Sequence, residues 1–382
     1  MTVLIADREP PNILRKLLQV PWLVVLLVAA LAGVGLAMQY SAAGGAWDPW
    51  ASRQAVRFGA GLGLMLVVAM IDIRLWFRWA YLCYGAALVM LVAVEVGLGG
   101  RIGMGAQRWL DLGFIQLQPS ELMKFTLVLV LARYWHGRTM EDMGRIIWLM
   151  VPLLLVAMPT ALVMKQPDLG MALMLTGGAI GLAWIAGVRW WKFALAFAAI
   201  AAAVPTAWEY YLRDYQRQRV LTFLDPTRDP LGAGYHIIQS KIALGSGGVF
   251  GKGFLQGTQH ALNFLPEKQT DFIFTMLAEE FGLVGGMGLL GVYLTLFLYG
   301  YLIAFRSQTQ FGRLVAIGVV WTIFLAVFVN IAMVMGLIPA KGAALPMVSY
   351  GGSSMLVTMF GAGLLMSVWI HRDNRFGPRG EL

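Results

Sequence analysis

Long apolar runs separated by short polar stretches dominate the chain. A helix needs roughly 20 mostly apolar residues to cross the hydrocarbon core of a bilayer. A window of that length finds ten segments, which are residues 21–41, 55–71, 79–98, 120–134, 146–164, 168–187, 190–208, 284–305, 314–336 and 353–370. The pattern predicts an all-α polytopic membrane protein with about ten transmembrane helices, in which residues 1–382 form a single integral membrane domain.

The composition supports this prediction. Hydrophobic residues make up 59% of the 382 residues and charged residues only 13%, whereas a soluble domain has about 25% charged residues. A soluble protein of this length would have too little polar surface to cover its core.

The basic residues indicate how the helices are oriented. Most lysines and arginines fall in one set of segments, which are residues 8–16, 74–78, 133–145, 189–192, 306–313 and the tail at 371–382. Cytoplasmic loops of membrane proteins are enriched in these residues. We therefore expect a multi-pass protein of the cytoplasmic membrane, with both termini and the 371–382 tail in the cytoplasm. The net charge of +9 is assigned to these loops and not to nucleic-acid binding.

Two connections on the predicted outer side are long. Residues 99–118 form a first large outer loop, and residues 209–283 form a second one before the eighth span. Loops of the second length are usually functional or disordered. Aromatic and aliphatic residues occur throughout 209–283, so we expect this loop to be ordered, with a helix over 271–281 at the membrane interface.

Glu121 and Lys124 are ionisable residues at the start of the fourth predicted span. Ionisable side chains at membrane depth are costly and are candidates for function. Pro119 just before a helix and Ser120 at its cap are typical of a helix start, and the spacing of three places both charges on one helical face. Two interpretations stay open: a salt bridge that is only structural, or a cavity wall in which Lys124 binds an anionic head group.

Asp168 has a simpler explanation, because it precedes the sixth span and would cap it. In the long loop, Arg217 and Arg219 are either a solvated charge run or a site for phosphate or pyrophosphate, whose oxygens match guanidinium groups. Further along, Lys268 and Asp271 stand directly before an apolar stretch. Asp271 would lie half-desolvated at the rim between water and protein, as a helix cap or as a functional carboxylate.

Ser349 belongs to a Gly- and Ser-rich segment, 349–354, before the last span. Its hydroxyl could donate to anionic oxygens, or the segment could be only a loop and helix cap. Because the unusual polar residues converge on the predicted outer side, the sequence favours an outward-facing site for an anionic amphiphile.

Several stretches together resemble the SEDS family (shape, elongation, division and sporulation), and most closely its elongation branch. These stretches are residues 105–113, 118–121, 166–170, 225–248, 265–280 (LPEKQTDFIFTMLAEE) and 349–353.

This resemblance implies a peptidoglycan glycosyltransferase. Such an enzyme polymerises lipid II into a growing glycan strand at the outer face of the membrane during cell elongation, and releases undecaprenyl pyrophosphate. The implied partners are a class B penicillin-binding protein, which crosslinks the strands, and other membrane proteins of the elongation complex. The family's essential aspartate falls on Asp271 and its essential tryptophan on Trp109.

The chemistry of this reaction fits the residues. A carboxylate such as Asp271 can accept the proton of the attacking sugar hydroxyl, and cations stabilise the leaving pyrophosphate. The candidate cations, in order of preference, are Lys124, Arg101, Arg108, Arg217 and Arg219. A divalent cation, Mg²⁺ or Mn²⁺, is plausible, and Asp271 is a possible ligand for it. No organic cofactor is expected.

Two other functions are alternatives for a chain with this pattern. A lipid II flippase or transporter would also use many spans and polar groups at depth, but it predicts internal repeats and charges on the cytoplasmic half of the pathway. A scaffold that only recruits the penicillin-binding protein would leave Asp271, Glu121 and Lys124 without a purpose.

Overall fold

The computed structural model describes residues 13–97, 100–103, 106–111, 113, 116–210, 214–225, 233–258, 267–339, 342–374 and 377. The helices in this part are α1 (Ile13–Leu18), α2 (Trp22–Ala42), α3 (Trp50–Met70), α4 (Ile73–Val96), α5 (Pro119–Trp135), α6 (Met140–Gly144), α7 (Ile147–Lys165), α8 (Leu169–Ala186), α9 (Trp190–Tyr210), α10 (Asp214–Leu224), α11 (Ala233–Ser246), α12 (Ile273–Arg306), α13 (Gln310–Val334) and α14 (Gly352–Ile370). The strands are β1 (Gly100–Gly103), β2 (Ala106–Asp111) and β3 (Gln116–Leu117).

Each of the ten predicted spans coincides with a helix, which confirms the all-α polytopic fold. Among the described residues, eight helices are long and apolar enough to cross a membrane. The other two predicted spans are α5 and α9. The first has only 17 residues, and the apolar part of the second is limited to Trp190–Thr206.

Helix α5 lies at the centre of the bundle and packs against α4, α8 and α13. Nearly all of its residues are buried, because glycines on the neighbouring helices allow close approach. A Cβ at Gly318 would come within 2.5 Å of the Val128 side chain, and one at Gly361 within 2.4 Å of Phe125. The helix begins at Pro119, with Gln118 in the cap position. The cap is therefore two residues earlier than the predicted Ser120, which is buried inside the first turn.

A break at Gly282 divides α12 into two parts. Gly282 has φ 66° and ψ −161°, a conformation that essentially only glycine adopts. Next to the break, the N–H groups of Lys252 and Gly253 donate to the carbonyls of Glu279 and Glu280. A Cβ at Gly251 would meet the Glu280 carbonyl oxygen at 2.1 Å. The first part, up to the break, is buried between helices and carries the Asp271 turn at its start.

The first large outer loop contains a small antiparallel sheet of order β1-β2-β3, which the sequence analysis did not predict. Trp109 on β2 faces Arg101 on β1, and Leu110 faces Leu117 on β3. Local hairpin pairing satisfies the backbone groups of this segment, and β2 packs against the ends of α4 and α5.

The two ends of the described chain meet at one end of the bundle. Lys16 donates to the Met70 carbonyl at 3.2 Å, and Asn374 donates to the Asp72 carboxylate at 3.3 Å. Helix α3 begins at Trp50 and ends at Met70. The two chain ends therefore meet at the Met70 end of the bundle, opposite its Trp50 end.

Candidate functional site

A cavity of about 1240 Å³ opens at the Trp50 end of the bundle. Its walls come from α3, α5, α8, α13 and α14, from the β-sheet, and from the turn before α12. The charged side chains that line it are Arg53, Arg57, Arg108, Asp111, Glu121, Lys124, Asp168, Glu267 and Asp271. Within the described lining, four cations therefore face five carboxylates.

Asp271 lies in the cavity wall, in the turn that precedes α12. The cap position of α12 is occupied by Phe272, without a side-chain cap. The helix-cap interpretation of Asp271 is therefore not supported. Burial, and then the negative charge of Glu267, raise the pKa of Asp271 to about 6. A carboxylate with a pKa close to the working pH is suited to accept and return protons.

The turn that carries Asp271 is fixed by the segment before α14. The Ser349 hydroxyl donates to the Thr270 carbonyl at 2.6 Å, and it accepts from the Leu345 N–H at 2.8 Å. The Tyr350 N–H donates to the Gln269 carbonyl at 2.8 Å. These bonds hold the backbone that leads directly into Asp271.

A second contact holds Asp271 from the side of α13. Asn330 donates from its amide to the backbone carbonyls of Asp271 and Ala343. A Cβ at Gly342 would lie 3.2 Å from the Asp271 carboxylate. Asn330 thus joins the two segments on either side of that carboxylate.

Glu121 and Lys124 form an ion pair of 2.9 Å in the floor of the cavity. Each is about 8% exposed, so the pair is largely removed from water. The structure shows the salt bridge of the first interpretation and the cavity wall of the second, while binding of an anionic head group by Lys124 stays a prediction.

Arg108 connects the β-sheet to the turn between α7 and α8. Its guanidinium donates to the carbonyls of Gln166 and Pro167 at 2.9 and 2.7 Å, and it lies 3.7 Å from the Asp168 carboxylate. Asp168 also caps α8 by accepting from the Met171 N–H at 3.0 Å, as predicted. The neighbouring Trp109 lines the cavity.

Other predicted site residues lie elsewhere. Arg217 is not in the cavity lining and donates to the Glu209 carbonyl at 2.8 Å on α9. Neither Lys268 nor Ser349 lines the cavity, and Ser349 is buried with its hydroxyl engaged in the bonds given above. The side chains of Arg101 and Arg219 lie outside the described residues.

Sequence reasoning did not single out Arg57 and Asn330. Arg57 lines the cavity, and its position inside an otherwise apolar predicted span was a usable signal. Asn330 likewise is a polar residue within the ninth span, where it is fully buried. An amide inside an apolar helix needs a partner, but the sequence did not show which one.

The lining also bears on the predicted divalent cation. No group of three or more His, Cys, Asp or Glu residues suited to a metal occurs in the described ranges. Mg²⁺, however, is commonly held by one or two carboxylates together with substrate phosphates. Asp271 and Glu267, which influence each other electrostatically, fit that smaller donor set.

A family model covers almost all of this architecture. The model of the FtsW, RodA and SpoVE cell cycle proteins matches residues 20–374. The chain belongs to this family. The resemblance found in the sequence is thereby confirmed, and the family match includes all the elements that line the cavity.

Members of the family with known names and structures are similar over most of their length. Peptidoglycan glycosyltransferase MrdB of Escherichia coli (strain K12) is 46% identical over 324 residues, or 84% of this chain and 85% of MrdB. A solved peptidoglycan synthase complex, described as coordinating polymerization and crosslinking, contains a chain with a TM-score of 0.81. That chain is 37% identical, and the match covers 93% of this chain and 99% of that one.

The crystal structure of the rod shape determining protein RodA of Thermus thermophilus has a TM-score of 0.70 and 32% identity, and the match covers 93% of this chain and 98% of RodA. These relatives confirm the predictions of the fold class and of a peptidoglycan glycosyltransferase.

Proposed function

We propose that this chain polymerises lipid II into glycan strands, with Asp271 as the carboxylate that accepts the proton of the attacking hydroxyl. One observation carries the assignment to Asp271: a half-buried carboxylate with a pKa of about 6 lies in the wall of a large cavity, together with four cationic side chains of its described lining. Sugar hydroxyls are weak nucleophiles at neutral pH. A positioned base of this pKa makes one more reactive as its bond to carbon forms.

The bond changes follow from the substrates. The acceptor hydroxyl oxygen forms a bond to the anomeric carbon of the donor sugar, and its proton passes to the Asp271 carboxylate. The bond from that carbon to the pyrophosphate oxygen breaks, and the pyrophosphate takes the electron pair. A single displacement of this kind inverts the anomeric carbon.

Among the described residues, Lys124 is the more buried of the two predicted cations that line the cavity, Lys124 and Arg108. When substrate enters, Lys124 can share its charge between Glu121, at 2.9 Å, and a phosphate oxygen. Arg108 is less available, because its guanidinium already serves the α7–α8 turn. A divalent cation, if the enzyme uses one, would be held by Asp271 and Glu267 and would add positive charge beside the leaving group.

We propose that the cavity faces the outer side of the cytoplasmic membrane and that both termini are cytoplasmic. Arg133, Arg372 and the basic residues close to Asp72 lie at the end of the bundle opposite the cavity. This distribution supports the proposed orientation. A reporter fused after Arg145 should behave as cytoplasmic, and one inserted near Gly257 as external. The reverse result would overturn the orientation.

A class B penicillin-binding protein is the proposed partner, together with other membrane proteins of the elongation complex. The similarity to a chain of a peptidoglycan synthase complex supports this proposal. Co-purification of this chain with the penicillin-binding protein from the same cell tests it directly.

The activity is tested with purified protein, lipid II and a gel that resolves glycan chains. We expect chains from the parent protein and almost none from Asp271→Asn, because loss of a general base costs roughly 10²–10⁴ in rate. Asp142→Asn is the matched control: it makes the same chemical change at an exposed helix start remote from the cavity. Normal polymerisation by Asp271→Asn would reject Asp271 as the base. Rescue of that variant by added Mn²⁺ would favour metal ligation instead.

A further inference from the structure

Arg57 is a cation in the cavity wall whose charge has no carboxylate partner in the described part of the chain. It lies near the start of α3, and its guanidinium stacks on the Tyr350 ring at 4.7 Å from the ring centre. Its Nη1 atom is buried and has no hydrogen-bond partner. A desolvated guanidinium nitrogen without an acceptor is unfavourable, so an acceptor is expected when the site is in use.

The other interior cations of the cavity differ from Arg57 in this respect. Lys124 is paired with Glu121 at 2.9 Å. Arg108 donates to two carbonyls and lies beside Asp168. Among these three, Arg57 alone has an unused buried donor that faces no negative charge in the described structure.

On the side of α14, the space for the Arg57 guanidinium depends on a glycine. A Cβ at Gly352 would lie 3.0 Å from Arg57 Nε and 3.2 Å from Cζ. Glycine at 352 therefore lets the guanidinium lie between α14 and the Tyr350 ring. Stacking on Tyr350 holds the planar group, which has a fork of N–H donors that matches phosphate oxygens.

We propose that Arg57 binds the diphosphate of a polyprenyl-linked substrate or product in this cavity. The proposal rests on the proposed function, because the proposed reaction brings a polyprenyl diphosphate into the cavity and its diphosphate is the anion that Arg57 would bind. It also places the diphosphate on the same wall as the catalytic carboxylate. Tyr350, on which Arg57 stacks, donates from its N–H to Gln269, two residues before Asp271.

The test measures the binding of undecaprenyl pyrophosphate to purified full-length protein in lipid nanodiscs. Arg57→Gln removes the charge and keeps a planar polar end. We expect its Kd for undecaprenyl pyrophosphate to rise roughly 10–100-fold, as for loss of a charge-assisted hydrogen bond. Undecaprenol, which has the same tail and no phosphate, should bind the parent and the variant equally. Arg313→Gln, an exposed residue at the other end of the bundle, makes the same charge change and should bind like the parent.

Two further variants keep the test decisive if Arg57→Gln does not fold. Arg57→Lys keeps the charge but loses the planar fork, and should bind undecaprenyl pyrophosphate with intermediate affinity. Gly352→Ala keeps Arg57 but presses a methyl group on its guanidinium, and should also weaken binding.

The outcomes separate this inference from the proposed function. Folded Arg57→Gln or Arg57→Lys with the affinity of the parent would overturn the inference and leave Arg57 as a packing residue for Tyr350, even if lipid II is polymerised. A parent protein that makes no glycan from lipid II would instead overturn the proposed function. An equal loss of undecaprenol binding in the variant would show a general distortion and would also reject a diphosphate contact.

Discussion

Asn330 on α13 donates a hydrogen bond from its side-chain amide to the backbone carbonyl of Asp271 at 2.9 Å. The same amide reaches the Ala343 carbonyl, and Asn330 is fully buried. The contact therefore ties the turn that carries Asp271 to a helix in the middle of the bundle. If Asp271 is the base that we propose, Asn330 is a positioning residue, since its contact is to the backbone and leaves the carboxylate accessible.

We expect Asn330→Ala to slow polymerisation and to lower stability. Two buried carbonyls would lose their donor, and each unpaired group costs about 1–3 kcal/mol. The rate should fall at saturating lipid II with little change in KM, because substrate contacts remain. Asn374→Ala is a matched control, since it removes an amide contact to Asp72 at the other end of the bundle and should leave the rate normal. Full activity in folded Asn330→Ala would show that Asp271 does not depend on this bond.

The pH dependence of polymerisation should report the Asp271 carboxylate. Its pKa of about 6 predicts a rate that is steady near neutral pH and falls tenfold per pH unit well below 6, where the base is protonated. Glu267→Gln removes a charge that raises this pKa, so the acid limb should move to lower pH. If the acid limb of Glu267→Gln lies at the same pH as that of the parent, the pH dependence does not report the interaction between Glu267 and Asp271.

The same pKa predicts that Asp271 costs stability at neutral pH. Its pKa is higher in the folded protein than the usual 3.8. Between about pH 4 and 6 the folded state therefore holds a proton that the unfolded chain has lost, and stability falls as the pH rises through this window. At pH 7.5 Asp271→Asn should be more stable by roughly 1–3 kcal/mol. Thermal unfolding midpoints of both proteins at pH 7.5 and near pH 4 should differ only at the higher pH.

The buried pair of Glu121 and Lys124 predicts different effects for single and double replacements. Lys124→Met alone leaves a buried carboxylate without its partner and should cost roughly 3–5 kcal/mol. The double variant Glu121→Leu, Lys124→Met should be nearly neutral for folding, since well-packed apolar groups often substitute for a buried pair. If Lys124 contacts the pyrophosphate, the folded double variant should nevertheless make no glycan. An active double variant would reduce this pair to a structural salt bridge.

The sequence predicted the helices well because their hydrophobic pattern is a local property. It also predicted the cavity positions of Asp271, Trp109, Lys124 and Glu121 through motifs. It named Arg108, which lines the cavity, but it did not separate this residue from Arg217, which does not, and it did not single out Arg57. Arg217 looked like a phosphate ligand from its charge, but it donates to the Glu209 carbonyl on α9.

Arg57 is a cavity residue that was not recognised from the sequence. It was hidden at the edge of an apolar span because its environment depends on α14 and Tyr350, which are almost 300 residues away in the chain. The small sheet over 100–117 was missed for a related reason: its strands are short, and their pairing is set by packing on the helix ends.

The nearly balanced charges of the cavity affect turnover. Four cations and five carboxylates line its described part, so the long-range field that draws in an anionic head group is weak, and affinity has to come from short contacts. Contacts at hydrogen-bond range are screened much less by salt than distant ones. Lipid capture should then depend little on ionic strength, and a spent carrier can leave without escaping a strong positive potential. A cavity with excess positive charge would capture the lipid faster but would be slower to clear after each added sugar.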